Sequence, residues 1–449
     1  MKRIEQYRNT IRATAITVFC LLSTIAYYVV WSNTYNPDFD NPYSDKGRLF
    51  IVGVYFAVLF VTSLIMGLYR IDELRKSELI FYETIALIFS NAIAYAQICL
   101  IKAVIAPVEG MLLILLFEIA ILVVWTFISS AVVQALSPPE KLLIIYGSHL
   151  ATEIVYKMSK MEDKFVISES ANVDEGYDKL VQRIDRFEGV IICDVPARLR
   201  NDILKYCYQQ NKNVYVIPKI SDIIIRSASD ITFFDSPILK CSSTGPTVEQ
   251  RAVKRIIDVV MSFVGIIVLS PVMLIMAIAI KLYDGGPVFY KQKRCTKDLK
   301  TFDILKFRSM VVDAEKDGPQ PAVDNDKRIT PIGKIIRSFR LDELPQLFNI
   351  LKGEMSVVGP RPERIEHVAE YSEEIPEFVN RYKMKGGLTG YAQVFGKYNT
   401  SAYNKLKMDL IYIQNYSLFL DFKLILMTVK ILFKKESTEG FDVKRKNQK

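Results

Sequence analysis

Histidine is nearly missing. His149 and His367 are the only two among 449 residues. That leaves no material for a histidine-built metal cluster and argues against a Ser-His-Asp hydrolase. The six cysteines (Cys20, Cys99, Cys193, Cys207, Cys241 and Cys295) contain no CxxC pair, so neither a zinc site nor a disulfide framework is indicated. Also missing are a GxGxxG turn where a dinucleotide would need it, a DxD in a nucleotide-binding strand context, zinc-finger spacing and a basic zipper. Nucleic acid is therefore not an expected partner.

What is present is an excess of one charge and several long apolar runs. Lys and Arg number 58 against 49 Asp and Glu, a formal net charge of +9, while half the residues are apolar. With a membrane in the picture, that balance favours anionic headgroups or phosphorylated substrates. Four apolar runs, roughly Ile11–Trp31, Leu49–Tyr69, Leu79–Ile105 and Met111–Leu136, are each long enough to cross a hydrocarbon core. Residues 1–138 are expected to form this four-span bundle. The first run is too long, and too poor in a cleavage site, for a signal peptide. The N-terminus is basic (Lys2, Arg3, Arg8 and Arg12), the first loop carries Asp38, Asp40 and Asp45, and Arg70, Arg75 and Lys76 form a basic second loop. The bias predicts both ends of the bundle, and everything after Pro138, on the cytoplasmic side.

Residues 139–246 alternate apolar strands with helical stretches. "LLIIYG" (Leu142–Gly147), "GVIICDV" (Gly189–Val195) and "NVYVIP" (Asn213–Pro218) read as buried parallel strands of a small α/β domain. The turn after the first strand, "YGSHLATEI", has one glycine, so this is a degenerate Rossmann-like domain without a pyrophosphate cradle. Tyr156 and Lys160 spell a dehydrogenase-like YxxxK but come too early for that fold's catalytic helix. Ile256–Ile280 is a fifth apolar run, broken near its middle by Ser270-Pro271 and basic on both flanks. Proline removes a backbone hydrogen bond there, and the serine hydroxyl can pair with the freed carbonyl. The expectation is a membrane helix that enters, bends and returns to the same face; an ordinary kinked span is the alternative.

The chemistry follows that bend. Gly285–Met310 interleaves basic and apolar residues, with Lys306, Arg308 and the Lys293-Arg294 pair available to phosphate; a solvated basic face is the other reading. "RLDELPQLFNILKGEMSVVGPRP" (Arg340–Pro362) then sets Asp342 and Glu343 at the start of a helix that Pro345 fits. With Arg340, Arg361, Lys306 and Arg308, the two acids can hold a divalent cation and phosphate oxygens, and one can attack phosphorus; helix capping is the alternative. Pro360-Arg361-Pro362 fixes one guanidinium for phosphate, or is simply a rigid turn. The glycines of Lys385–Asn399 permit close backbone approach to a ligand, or form a plain loop. Asp409–Lys435, with Tyr412, Tyr416, Phe419 and Phe422, reads as an apolar helix for the membrane interface or the core. Residues 436–449 are a charged tail.

Together "GPVFYKQ", "ILKFRSM", "ITPIGKIIR", "LDELPQLFNILKGEMSVVGPRP" and "GLTGYAQV" closely resemble the bacterial sugar transferase family, over about residues 250–435. These are polyprenyl-phosphate phosphoglycosyl transferases of the monotopic type. The four spans plus α/β domain resemble its large multi-domain subgroup, which begins capsule, exopolysaccharide or O-antigen repeat units. The resemblance implies a mixed, mostly helical catalytic domain over 247–435 with a re-entrant membrane helix bent at Ser270-Pro271. It implies transfer of a hexose 1-phosphate, glucose or galactose first, from a UDP-sugar to undecaprenyl phosphate, releasing UMP. Asp342 would be the nucleophile of a covalent intermediate, Glu343 its dyad partner, and Mg²⁺ the ion held by both. Lys306, Arg308 and Arg361 would contact phosphate. The setting would be the bacterial inner membrane, with the catalytic domain on the cytoplasmic face and a homodimer plausible. The chain departs from the common pattern in lacking a glycine soon after "Q-x-R" and in carrying Gly386-Gly387 where many members have Pro-Gly. The rivals are a membrane dehydratase, which the missing glycine fingerprint disfavours, and a scaffold with a dead transferase domain, which the intact dyad disfavours.

Overall fold

The computed structural model describes residues 7–432 apart from 73, 137, 148–154, 157, 159–160, 162–163, 243–244, 315–325 and 397–399. The turn after Gly147, Lys160 of the YxxxK match, part of the Lys385–Asn399 loop and the charged tail thus lie outside the described residues. The chain divides into two compact units, Met1–Ile217 and Pro218–Lys449.

The first unit opens with four long helices: α1 (Arg8–Thr34), α2 (Asp45–Met66), α3 (Lys76–Lys102) and α4 (Glu109–Leu136). Each packs on two others in cyclic order, α1 on α2, α2 on α3, α3 on α4 and α4 on α1. Their inward faces follow helical spacing: Met111, Ile114, Glu118, Leu122, Trp125 and Ser129 line α4, while Leu112, Leu116, Val124 and Ile128 stay exposed. Exposed apolar faces of this kind are what lipid covers. The interior is not wholly apolar. Tyr55 donates to Glu118, and Asn91 Nδ2 donates to Glu118 Oε2 at 2.5 Å. Ser63 donates to Glu83, and the Thr62 and Ser90 hydroxyls lie 2.7 Å apart. These bonds tie α2, α3 and α4 together and satisfy two acids that hydrocarbon would otherwise exclude.

An α/β layer completes this unit. Its parallel sheet has the order β2-β1-β3-β4, with β1 Glu140–Tyr146, β2 Phe165–Asn172, β3 Gly189–Cys193 and β4 Asn213–Val216. The predicted strands are β1, β3 and β4. The edge strand β2 was not predicted, because "FVISESAN" buries only one end and alternates apolar with polar residues. Helices α5 (Tyr177–Ile184) and α6 (Ala197–Gln209) supply Leu180, Ile184, Ile203 and Cys207 to the core against Leu143, Ile145, Val190 and Ile192.

The second unit begins earlier than the predicted boundary at 247. Helix α7 (Ile220–Arg226) buries Ile220 and Ile223 against Phe378, Leu406 and Leu410, so packing assigns it here. A hairpin of β5 (Ser229–Phe233) and β6 (Ser236–Lys240) follows. Helix α8 (Val248–Asp284) starts at a Thr247/Gln250 capping box and runs unbroken through Pro271. Its N-terminal half turns polar residues inward, whereas Met273 and Ile280 of the C-terminal half are buried in an apolar cluster. Lys254, Asp258 and Ser262 are buried, while Ile256, Val260, Phe263, Ile267, Leu274 and Ile278 are exposed. Like the first four helices, it is long and apolar enough to cross a membrane. Pro271 cannot donate to the Ile267 carbonyl four residues back; Ser270 Oγ donates to that oxygen instead, at 2.8 Å.

Around α8 stand the antiparallel pair β7 (Phe289–Cys295) and β8 (Thr301–Phe307), then α9 (Pro331–Ser338), α10 (Gln346–Lys352) and the parallel pair β9 (Ser356–Val358) and β10 (Gly387–Thr389). Helices α11 (Ile365–Glu374), α12 (Tyr391–Phe395), α13 (Ala402–Gln414) and α14 (Leu418–Leu432) close the unit. The predicted single run Asp409–Lys435 is two helices, parted at Asn415–Ser417. Tyr412 is fully buried and belongs to the core, whereas Phe419 is exposed.

Candidate active site

Asp342 and Glu343 lie on a 3₁₀ turn, Leu341–Glu343, between α9 and α10. Arg340, at φ 54°, takes the left-handed conformation that swings the chain into this turn. Pro345 caps α10, as its position in the sequence suggests. What holds the turn in place is α10 itself. Asn349 accepts the Leu305 N–H through Oδ1 at 2.9 Å and donates to the Asp303 carbonyl at 2.9 Å, stitching α10 to β8. Arg255 of α8 donates to the Ile350 and Leu351 carbonyls at 2.6 and 2.7 Å, satisfying groups that the end of α10 leaves open.

The two acids are placed in unlike surroundings. Glu343 is buried, and its Oε1 accepts from Lys306 Nζ at 2.9 Å and from Arg361 at 2.8 Å. Burial alone would raise its pKa, but Lys306, Arg361 and Arg340 overcome that and hold it well below the usual glutamate range. Glu343 in turn raises the pKa of the partly exposed Arg361 guanidinium. Asp342 is half-buried and makes no side-chain hydrogen bond or ion pair with any described residue. Burial raises its pKa, Lys306 pulls the other way without cancelling the rise, and Glu343 adds to it. One acid is therefore a fixed anion inside a cationic clamp; its neighbour is unengaged.

A small cleft adjoins the clamp, lined by Arg294, Ile304, Lys306, Gln346, Arg361, Pro362 and Gly387. Two of its lining residues carry buried donors, Arg294 Nε and Gln346 Nε2, with no hydrogen-bond partner among the described residues. Burial and the nearby Arg361 bring the Arg294 guanidinium down to about 10. Unsatisfied N–H groups beside Lys306 and Arg361 form a lining suited to phosphate oxygens.

The structure gathers Asp342, Glu343, Lys306, Arg340 and Arg361 in one place, and separates Arg308 from them. Arg308 is buried and bidentate to Asp284, with Nε on the Pro287 carbonyl at 2.7 Å. It fastens the turn that ends α8, with its guanidinium engaged by Asp284 and not by the dyad. Lys306 and Arg308 alternate along one strand face, but the strand ends at Phe307 and the Gly285–Pro287 turn captures the second residue. Gln346, four residues after Asp342, was missed although its spacing carries the signal. The glycines of the Lys385–Asn399 loop also find another use. A Cβ on Gly387 would lie 2.1 Å from Gly359 N, and one on Gly390 2.1 Å from Gly359 O. Their close approach is to the backbone of the Gly359–Pro362 turn, and Gly387 also lines the cleft.

The family described as Bacterial sugar transferase matches residues 249–435. A UDP-N-acetylgalactosamine-undecaprenyl-phosphate N-acetylgalactosaminephosphotransferase of Aeromonas hydrophila is 42% identical over 249 residues, 53% of this chain and 58% of that protein. A UDP-glucose:undecaprenyl-phosphate glucose-1-phosphate transferase of Klebsiella pneumoniae is 40% identical over 204 residues, 44% of this chain and 42% of that protein. The chain thus spans about half the length of these two relatives. The exopolysaccharide production protein PSS of Rhizobium leguminosarum is 42% identical over 185 residues, 39% of this chain and 92% of its own length. The matched stretch carries α8, the dyad and its clamp, and the chain belongs to the bacterial sugar transferase family.

Proposed function

We propose that this chain transfers a sugar 1-phosphate from a UDP-sugar to undecaprenyl phosphate, releasing UMP, through a covalent intermediate on Asp342. The observation that carries this reading is the asymmetry of the dyad: Glu343 is bound to Lys306 and Arg361, and Asp342 beside it is unengaged. A carboxylate nucleophile needs a free, poorly solvated oxygen close to groups that neutralise the phosphoryl charge. Asp342 has that position. In the first step an Asp342 oxygen bonds to the phosphorus bearing the sugar. The bond from that phosphorus to the bridging oxygen breaks, and its electron pair leaves with UMP. In the second, an oxygen of undecaprenyl phosphate bonds to the same phosphorus and the Asp342 carboxylate is regenerated. Neither step requires a proton relay, which accords with a site built without histidine. Lys306 and Arg361 hold Glu343 and face the phosphoryl oxygens; Arg294 and Gln346 extend the lining.

Among the described residues no three His, Cys, Asp or Glu side chains gather into a metal cage. Mg²⁺ does not require one, since it commonly takes one or two carboxylates and completes its shell with phosphate oxygens and water. The unengaged carboxylate of Asp342 fits that mode. Glu343, expected as a second ligand, fits poorly, because its Oε1 already faces two cations. When bound, the ion supplies charge neutralisation at the phosphoryl oxygens.

Helix α8 brings the site to lipid. Its exposed apolar face is the membrane-facing side, and Arg251, Lys281, Lys291 and Lys293 flank it at both ends. Lys254 and Arg255 are spent inside the unit, on Asp421 and on α10. The remaining cations support a re-entrant helix whose two ends meet the same leaflet surface. The reading places the chain in the bacterial inner membrane with the catalytic unit on the cytoplasmic face, where UDP-sugars are made. The step is then the first membrane step of a capsule, exopolysaccharide or O-antigen.

Purified protein given undecaprenyl phosphate, Mg²⁺ and a panel of UDP-glucose, UDP-galactose and UDP-N-acetylgalactosamine is expected to release UMP with one of them. Asp342→Ala should abolish release, and Arg308→Ala should lower the melting temperature while leaving release near wild type. Silence with folded protein across a wider panel would favour the scaffold reading. Since the pKa of Asp342 is raised, the acid limb of kcat/KM should lie above the ordinary aspartate range of about 3.9, and Lys306→Ala should move it further up; a limb at the ordinary value would contradict the assignment. Single cysteines at Val248 and Tyr283, both exposed, should react with an impermeant maleimide from the same side of sealed vesicles. Labelling from opposite sides would make α8 a full crossing.

A further inference from the structure

Arg361 sits between two prolines, and proline has no N–H. The Pro360–Glu363 turn can therefore be tied down largely through its carbonyls, and all four are taken. Pro360 O accepts from Gly387 N at 2.9 Å and Arg361 O from Arg381 at 3.0 Å. Pro362 O accepts from Arg294 at 3.1 Å and Glu363 O from Cys295 N at 3.0 Å. Three of these donors belong to β7 and β10; the fourth is the Arg381 side chain, from the 3₁₀ segment Pro376–Lys383. Arg381 is 1% exposed, and no described surface gives it access to a substrate. The same NH2 that holds Arg361 O lies 2.7 Å from Asp409 Oδ2, and Asp409 is also 1% exposed. Glu363 stands 3.6 Å from the other terminal nitrogen, and the guanidinium lies 4.8 Å from the Phe378 ring centroid.

A fully buried ion pair is a weak source of net stability, since desolvation offsets most of the attraction. Asp409 makes no aligned hydrogen bond to the guanidinium, so it acts through charge and packing; seated between Asp409 and Phe378, the planar group aims one N–H at the Arg361 carbonyl. We propose that Arg381, oriented by Asp409, is a positioning residue that sets the backbone at Arg361 so that its guanidinium reaches Glu343 and the phosphoryl oxygens. This rests on the reading of Arg361 given above. Lysine at 381 keeps the charge beside Asp409 but loses the planar fork.

The test is a cycle on single-turnover UMP release, with melting temperature recorded for every variant. Arg381→Lys is expected to slow release by about tenfold to a hundredfold, the scale of a small misplacement of catalytic groups. In an Arg361→Ala background the same change should have almost no further effect, because the group it positions is gone. Should Arg381→Lys melt below the assay temperature, the charge-free pair Arg381→Gln with Asp409→Asn carries the same cycle without leaving a lone buried ion. Equal losses in both backgrounds, or wild-type rates in Arg381→Lys, would overturn the proposal while leaving Arg361 in the site. Wild-type rates in Arg361→Ala alone would remove the reading of Arg361, and the proposal with it.

Discussion

Glu343 Oε1 lies within 2.9 Å of a lysine and 2.8 Å of an arginine that come from different parts of the chain. Lys306 arrives on β8, Arg361 on the turn after β9, and Glu343 on the turn before α10. Two adjacent carboxylates in a basic, half-buried setting would repel if both were left to solvent alone. Giving one of them two cations turns it into a fixed part of the wall. The other keeps its oxygens. The catalytic asymmetry thus follows from who reaches Glu343 first, and the placement of β8, α10 and β9 decides that.

Two of those elements, β9 and α10, are fixed by polar contacts to α8, and β8 is stitched to α10 through Asn349. Asp258 accepts from Ser356 Oγ at 3.0 Å and Val357 N at 2.9 Å, fastening β9. Lys254 pairs with Asp421 at 2.5 Å, and Tyr412 donates to that carboxylate at 2.6 Å, its hydroxyl 3.3 Å from the Val358 carbonyl. Arg255 fastens α10. The helix whose outer face is apolar thus carries its polar residues inward, and they hold the strand and helix that present Arg361 and the dyad. The apolar outer face and the polar clamp inside are two faces of one helix, and the site is built on an element long and apolar enough to cross a membrane.

Much of this was legible in residue order. Apolar runs found the five long helices because hydropathy over twenty residues is a one-dimensional signal. The Asp-Glu pair, the proline after it and the Pro-Arg-Pro turn marked the site because each constrains its own neighbours. Partner choice was not legible. Lys306 and Arg308 look equivalent in "KFRSM", yet one faces Glu343 and the other closes on Asp284, a choice made by where β8 ends. The glycines of "GGLTG" announce close approach without saying to what. The segment 218–246 reads as a continuation of the α/β layer until the packing of Ile220 and Ile223 on Phe378 is seen. Arg381 carries no local sign of its role, because a buried pair joins residues far apart in sequence.

The division of labour between the two acids is most directly tested by trapping what forms on them. Wild-type protein incubated with its UDP-sugar and Mg²⁺, without the lipid acceptor, would be digested at once in acid and mapped by mass spectrometry. The peptide containing Asp342 and Glu343 should gain the mass of one sugar phosphate, with fragmentation placing it on Asp342, and undecaprenyl phosphate should discharge it. An adduct on Glu343, or UMP release that continues without any adduct on this peptide, would contradict the account.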